Sequence, residues 1–270
     1  MIKEISLPKG RMRLATVLQN TGEFIYTNDV ERSLKVSRTT ASKLLSRWTS
    51  QGWLGRVGPG IYTAVTLDLV GSGPVLDHPG MVIPALFDPA YIGGRTATEY
   101  WGLTEQIFRD TVVFTGRPMR SKYQKILGLP YTLKHIRPDK IFGLETMWFQ
   151  SIKAAISDMP RTIIDLLDEP AFGGGIQHVI DCFGEYLRHE YRQDRKLISY
   201  AERLGNGAIF KRLGFLAEHM SNSTYLVDAC KKRMTKGNAK LDPTLPSPRL
   251  VTKWRLWIPD MNLQFERDGY

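Results

Sequence analysis

The chain is 270 residues long, 42% hydrophobic and 24% charged, with a net charge of +10 and an isoelectric point near 9.6. This length suits two domains better than one, and the composition is that of an ordinary globular protein, not a disordered or fibrous one. No stretch approaches the ~20 consecutive apolar residues of a membrane helix and the N-terminus shows no apolar signal core. A cytoplasmic location is therefore expected and a membrane partner is not, while the positive excess points to an anionic partner.

The charge is unevenly placed. Residues 1–65 hold ten Lys or Arg against four Asp or Glu, whereas the remaining chain holds 27 against 23. Lys9 to Asn20 predicts a first helix, with Met12, Ala15 and Leu18 among its inward positions. Phe24-Ile25-Tyr26 reads as a short strand or turn. Asn28 to Val36 predicts a second helix with Val30 and Leu34 inward, and Leu34-Lys35-Val36-Ser37 a tight turn. The next stretch, Ser37 to Gln51 (SRTTASKLLSRWTSQ), has the pattern of a DNA-reading helix. Ser37 is placed to cap it, its hydroxyl accepting a backbone N–H of the first turn. Ala41, Leu44, Leu45 and Trp48 recur at three- and four-residue spacing and make one apolar stripe. Arg38, Thr39, Ser42, Lys43 and Arg47 fall largely off that stripe. Gly52 closes the helix. An anchored helix that offers Arg, Lys and hydroxyl groups is what major-groove reading requires. WLGRVGPGIYTAV then predicts a hairpin of the size of a wing, shaped at its tip by Gly58, Pro59 and Gly60, from which Arg56 reaches a phosphate or the minor groove. Helix, turn, helix and wing in this order favour a winged helix-turn-helix over a small helical domain with a solvated basic face. The candidate DNA-binding residues are Ser37, Arg38, Thr39, Thr40, Ser42, Lys43, Arg47 and Arg56.

Thr66 to Gly80 reads as a linker rich in Gly and Pro, and a second domain as 81–270. MVIPALFDPAYIGGRTATEYWGL predicts a helix, a tight Gly93-Gly94 turn and another helix with Ala97, Tyr100, Trp101 and Leu103 as core. Thr111–Thr115 and Tyr131–Ile136 read as strands, and Ile141–Phe149 as one or two more divided at Gly143, which together make a small antiparallel or mixed sheet. The pattern then turns helical. Met159-Pro160 opens a helix, Pro being harmless at a helix start. Gly173-Gly174-Gly175 precedes a long helix from about Ile176, with Val179, Ile180, Phe183 and Leu187 inward. Ile209, Leu213, Leu216 and Ala217 mark another helix, Asn238 to Pro248 a loop, Lys253–Ile258 a closing strand and Asp260–Tyr270 a frayed tail. The expected fold class is α+β: a winged helix-turn-helix followed by a mixed domain with a small sheet packed by helices.

Catalytic chemistry is sparse. Asp165 and Asp168 are three apart, as paired Mg²⁺ ligands would be, but Asp165 also lies one turn from Arg161, and an ion pair is the better reading. FGGGIQHV lacks the Lys-Ser/Thr ending of a phosphate loop and reads as a turn that lets helices pack closely. His178 and Cys182 are one turn apart with no second pair nearby, which favours core packing over a metal. Cys182 and Cys230 belong to no metal-type cluster, so no metal or cofactor is expected and a reducing compartment is. Two basic sets remain as a possible second surface: Arg188, Arg192 and Arg195, spaced to share one helix face, and Arg117, Arg120 and Lys122 within residues 109–140, where eight basic residues meet two acidic ones.

The predicted winged helix, then YIGGRTATEYWGLTEQ, MPRTIIDLLDEPAFGGGIQHV and NGAIFKRLGFLAEHM, resemble the AbiEi family of type IV antitoxins over nearly the whole chain. That resemblance implies a non-enzymatic autorepressor that binds promoter inverted repeats through its N-terminal domain. It also implies that the second domain counters a nucleotidyltransferase-like toxin without requiring a stable complex. A monomer that fills paired repeats cooperatively is expected, since no heptad seam forces a dimer. The alternatives are a winged-helix regulator that senses a small ligand in its second domain, and a DNA-targeted nuclease or nucleotidyltransferase.

Overall fold

The computed structural model describes residues 9–65, 76–221 and 223–265. Most of the expected linker, residues 66–75, and the last five residues of the expected tail lie outside them. The chain divides into two compact units: one reaches Asp88 and includes Gln124–Pro130 and Trp148–Ala154, and the other holds Pro89–Tyr123, Tyr131–Met147 and Ala155 onward. It is a mixed α and β protein with helices and strands at its N-terminal end.

In the first unit the order is α1 (Lys9–Gln19), β1 (Phe24–Tyr26), α2 (Thr27–Leu34), α3 (Arg38–Ser50), β2 (Leu54–Gly58) and β3 (Ile61–Ala64). β3 pairs antiparallel with β1 on one side and β2 on the other, with a bulge between Arg56 and Gly58. The helices close over one core built from Leu14, Val17, Ile25, Val30, Ala41, Leu44, Leu45, Trp48 and Leu54. One expected face is corrected here. In α1 the core takes Leu14 and Val17, one turn apart, while Met12 and Leu18 are 53% and 37% exposed. Two apolar ridges compete on this short helix, and the one carrying Leu14 and Val17 meets the other helices. Further along this unit lies α4 (Ile83–Phe87), preceded by a tight turn in which the His78 ring stacks on Phe149 at 4.1 Å.

The central sheet has six strands in the order β6-β7-β5-β4-β9-β8, from β4 (Ala90–Ile92), β5 (Thr111–Thr115), β6 (Tyr123–Ile126), β7 (Leu129–His135), β8 (Leu144–Phe149) and β9 (Ile152–Ser157). It is mixed: β4 runs antiparallel to β5 and parallel to β9, and β5 runs parallel to β7. Three of these strands, β4, β6 and β9, depart from the sequence reading, and Ile141-Phe142 lies in no strand. Tyr100, expected in the core at the end of α5 (Gly94–Tyr100), is 49% exposed.

Five helices follow: α6 (Met159–Asp168), α7 (Ile176–Arg188), α8 (Asp194–Leu204), α9 (Gly207–Met220) and α10 (Thr224–Arg233). Their apolar faces meet in the largest core cluster, together with Leu241, Trp254, Leu256 and Ile258 from a small sheet of β10 (Ala239–Lys240), β12 (Leu256–Ile258) and β11 (Arg249–Val251). The closing strand is thus shorter than Lys253–Ile258, because Thr252–Trp254 forms a single 3₁₀ turn. Trp254 lies on α9 where a Cβ on Gly214 would come within 2.0 Å of its ring, so only glycine admits the indole. No helix among the described residues is long and apolar enough to cross a membrane.

Candidate nucleic-acid interface

α2 and α3 are joined by three residues. Lys35 adopts a left-handed conformation, φ 52°, and donates its N–H to the Glu31 carbonyl, which ends α2. Ser37 then caps α3: its Oγ accepts the Thr40 N–H at 3.3 Å. At the other end Gln51 donates to the Arg47 carbonyl and Gly52 follows with φ 73°. Both ends of α3 are therefore satisfied by local sequence.

Burial divides the helix cleanly. Ala41, Leu44, Leu45 and Trp48 are buried, Leu45 and Trp48 at 1% or less. Arg38, Thr39, Thr40, Ser42, Lys43, Ser46 and Arg47 are all exposed. Among the described residues Arg38, Lys43 and Arg47 join no ion pair. A shallow depression lined by Arg38, Thr39, Ser42, Lys43 and Ser46 runs along this face. Ser46 is an addition to the sequence reading; its spacing of four from Ser42 was the available signal. The face offers guanidinium, ammonium and hydroxyl donors and no carboxylate, a set that suits phosphate oxygens and the acceptor edges of bases.

The β2–β3 hairpin is short and held at its tip. The Gly60 carbonyl accepts the Thr27 N–H at 3.2 Å, so the start of α2 fixes the turn. Arg56 is exposed on β2, and its Nε donates to the Gly58 carbonyl at 3.4 Å.

Residues 12–65 match the family model of the AbiEi antitoxin, a transcriptional regulator. The matched segment runs from within α1 to the end of β3 and contains every residue of the exposed α3 face. No curated protein matches the chain. Among solved structures, the crystal structure of the RV2827C protein from Mycobacterium tuberculosis is similar in fold, with a TM-score of 0.64 and 11% identity, over 94% of this chain and 92% of that one.

Beyond the matched segment, the residues weighed as metal ligands or catalytic groups have structural partners. Arg161 and Asp165 are 1% and 2% exposed and pair at 2.9 Å. Arg161 also donates to the Tyr91 hydroxyl at 2.8 Å and to the Lys140 and Phe142 carbonyls, while Tyr91 donates on to Asp165. Burial raises the Asp165 carboxyl above its ordinary range, against the pull of Arg161. Asp168 is held instead by Lys134 at 3.2 Å and Asn206 at 2.7 Å. The two carboxylates thus serve different partners and do not converge. At the glycine run, Gly174 and Gly175 take φ of 88° and 98°, and the first free N–H of α7, on Ile176, is taken by the buried carboxylate of Asp242 at 3.1 Å. His178 is buried, bonded to the Gly173 carbonyl at 2.5 Å and to Thr104 at 3.1 Å. Burial pushes the adjacent Cys182 thiol up to about 12, which makes it inert at neutral pH.

The helix-face grouping of Arg188, Arg192 and Arg195 is corrected. α7 ends at Arg188 and α8 begins at Asp194, so the three lie on two helices and the turn between them. Arg192 causes part of the break: its Nη1 donates to the Leu187 carbonyl at 3.1 Å and its fork grips Asp194 at 2.8 Å. Arg188 pairs with Glu185 at 2.6 Å. In the other basic set, Arg117, Arg120 and Lys122 are exposed on the β5–β6 connection.

Proposed function

We propose that α1 to β3 form a winged helix-turn-helix, that α3 enters the major groove of promoter DNA, and that the chain acts as a transcriptional autorepressor and antitoxin of a type IV system. In this reading residues 1–65 form the DNA-binding domain, 66–80 the linker and 81–270 the domain that counters a nucleotidyltransferase-like toxin. The observation that carries it is the two-sidedness of α3, four buried apolar residues against an exposed face of Arg, Lys, Ser and Thr, inside the segment that matches a regulator family. Residues 32–66 contain six basic side chains and no acidic one, so nothing in that stretch opposes a polyanion. Arg38 and Arg47 are positioned for guanine or phosphate contacts, Ser37, Thr39, Thr40 and Ser42 for hydroxyl contacts, Lys43 and Arg56 for phosphate. A monomer occupying each half of an inverted repeat is the simplest stoichiometry.

The test is a gel-shift titration on the chain's own upstream DNA, at two salt concentrations and with random DNA as competitor. Specific stepwise shifts that weaken with salt are expected. Arg38→Ala or Arg47→Ala should weaken operator binding by ~1–3 kcal/mol where the residue reads a base. Unchanged affinity in both variants would remove α3 from the interface. The antitoxin half is checked by co-expression with a nucleotidyltransferase-like toxin, whose growth arrest the full chain should relieve.

A further inference from the structure

In the second unit a cavity of about 360 Å³ opens between the loop Leu103–Gln106, α7 and the end of α9. That is the low end of the range for concave binding sites. Its floor is apolar: Leu103, Ile180 and Met220 are all buried. Gly184 keeps the floor open, because a Cβ there would stand 3.2 Å from Met220 Cε and 3.8 Å from the Arg188 guanidinium. The rim is polar and mostly acidic, with the carboxylates of Glu105, Asp181 and Glu185 against the one guanidinium of Arg188.

On a chain of net charge +10, carboxylates gathered in this way would ordinarily be neutralised by their neighbours. Arg188 does pair with Glu185, at 2.6 Å. Asp181 has only the neutral Gln177 amide, at 2.9 Å. Among the described residues neither Asp181 nor Glu105 joins an ion pair, so two exposed carboxylates of the rim have no cation. Beside them stands a large apolar side chain: Ile107, next to Gln106 of the cavity wall, is 90% exposed. The loop on either side of it is braced. Thr104 Oγ accepts the Gln106 N–H at 3.1 Å and lies 3.1 Å from Nε2 of the buried His178. Phe108 donates its N–H to Glu99 at 2.7 Å and meets the His178 ring edge-on at 5.2 Å. A single exposed apolar residue is ordinary. An isoleucine fixed at the mouth of an apolar-floored, acid-rimmed cavity has the anatomy of an interface, with an apolar centre inside a polar edge.

We propose that this cavity and Ile107 dock a basic segment of a partner protein. One Arg or Lys of the partner enters between Glu105 and Asp181 with its stem on Leu103, Ile180 and Met220, and an apolar neighbour covers Ile107. Complementarity carries the assignment. Arg and Lys lay an aliphatic stem on apolar surface while the charged head stays at the polar edge, which is the order of floor and rim here. A metal ion would use the carboxylates and leave the apolar floor and Ile107 without a role. The proposal does not depend on the DNA-binding reading, and its failure would leave that reading untouched.

The experiment uses the full chain and the fluorescently labelled heptapeptide GLRLRLG, with GLQLQLG as its uncharged counterpart, in anisotropy titrations at low and high salt. The basic peptide should bind saturably and more weakly at high salt, as screened charges do, and GLQLQLG should not saturate over the same range. Glu105→Gln/Asp181→Asn keeps the shape of the rim and removes its unpaired charge. It should unfold at the parent's temperature and weaken the basic peptide by about 2- to 30-fold, the loss of two exposed ion pairs. Ile107→Ser should weaken it at both salt concentrations alike. No saturable binding of GLRLRLG, or equal binding by the parent and Glu105→Gln/Asp181→Asn, overturns the proposal. Unchanged peptide affinity in Ile107→Ser removes the protein occupant and makes the cavity a site for a small organic amine, which a spermidine titration then reads directly.

Discussion

Trp48→Ala and Arg47→Ala are neighbours on α3 with opposite expected consequences. Trp48 is 1% exposed and is the largest side chain in the nine-residue core of the N-terminal helices. Truncating a buried Trp to Ala costs about 3–5 kcal/mol through lost burial and the cavity left behind. Against the 5–15 kcal/mol that holds a typical domain together, that removes a large share of the stability of the first unit. Arg47 is exposed and joins no ion pair among the described residues, so Arg47→Ala should change stability by no more than about 0.5 kcal/mol. Its loss should fall on DNA, about 5- to 150-fold for a base contact of ~1–3 kcal/mol. Urea denaturation followed by circular dichroism, beside operator titration, separates the two. Trp48→Ala should lower the unfolding midpoint, with operator affinity falling in step with the folded fraction. Trp48→Phe should recover most of both. An unaltered midpoint in Trp48→Ala would show that α3 is not anchored as described. A lowered midpoint in Arg47→Ala would make that arginine structural and withdraw it from the interface.

Other expectations follow from the same geometry. Ser37→Ala removes the α3 cap and should cost about 1 kcal/mol, read as a lower urea midpoint, whereas Ser37→Asp should restore it. Arg161→Met strands the buried Asp165 carboxylate and should cost about 3–5 kcal/mol; the paired change Arg161→Met/Asp165→Leu should recover part of that, and a double variant no better than the single one would refute the ion-pair account. Asp110 titrates against two influences: burial raises its carboxyl, but hydrogen bonds from Arg95 and Thr132 outweigh it and hold the group below its ordinary value. A depressed carboxyl contributes stability above the unfolded value of about 4 and loses it as pH falls through the folded one. Acid unfolding of the parent below pH ~4 should therefore be steeper than that of Arg95→Met, and identical profiles would sink the argument.

The helix α3 was legible because its determinants are local. Ser37, the stripe of Ala41, Leu44, Leu45 and Trp48, and Gly52 lie within sixteen residues and act on the same helix. The central sheet was harder to see. β4 is three residues between Asp88-Pro89 and Gly93-Gly94, which look like one continuous turn, and β9 (IKAAIS) carries two alanines where a strand normally shows branched residues. Both owe their conformation to partners distant in sequence, such as the Ile92 and Ile156 register between them. The break between α7 and α8 is of the same kind. LRHEYRQDRKL contains no Gly or Pro, and helical spacing runs straight through it. Besides the Arg192 grip, the Tyr186 hydroxyl accepts the Gln193 N–H at 2.9 Å, a contact that side-chain pattern alone does not announce. The unpaired state of the α3 cations was not legible at all, since it depends on which carboxylates fold nearby.

The position of Asp242 and Trp254 bears on how the protein is made. The N-terminus of α7 is closed by a carboxylate 66 residues downstream, and α9 is covered by an indole that reaches it across Gly214. Residues 239–258 therefore complete a helical core whose other members have all left the ribosome before them. During synthesis the α3-bearing unit can assume its compact form while α7 and α9 still expose apolar flanks. A chain stalled near residue 238 would hold a folded α3-bearing unit and an unfinished, adhesive remainder, and quality-control proteases would find the remainder first.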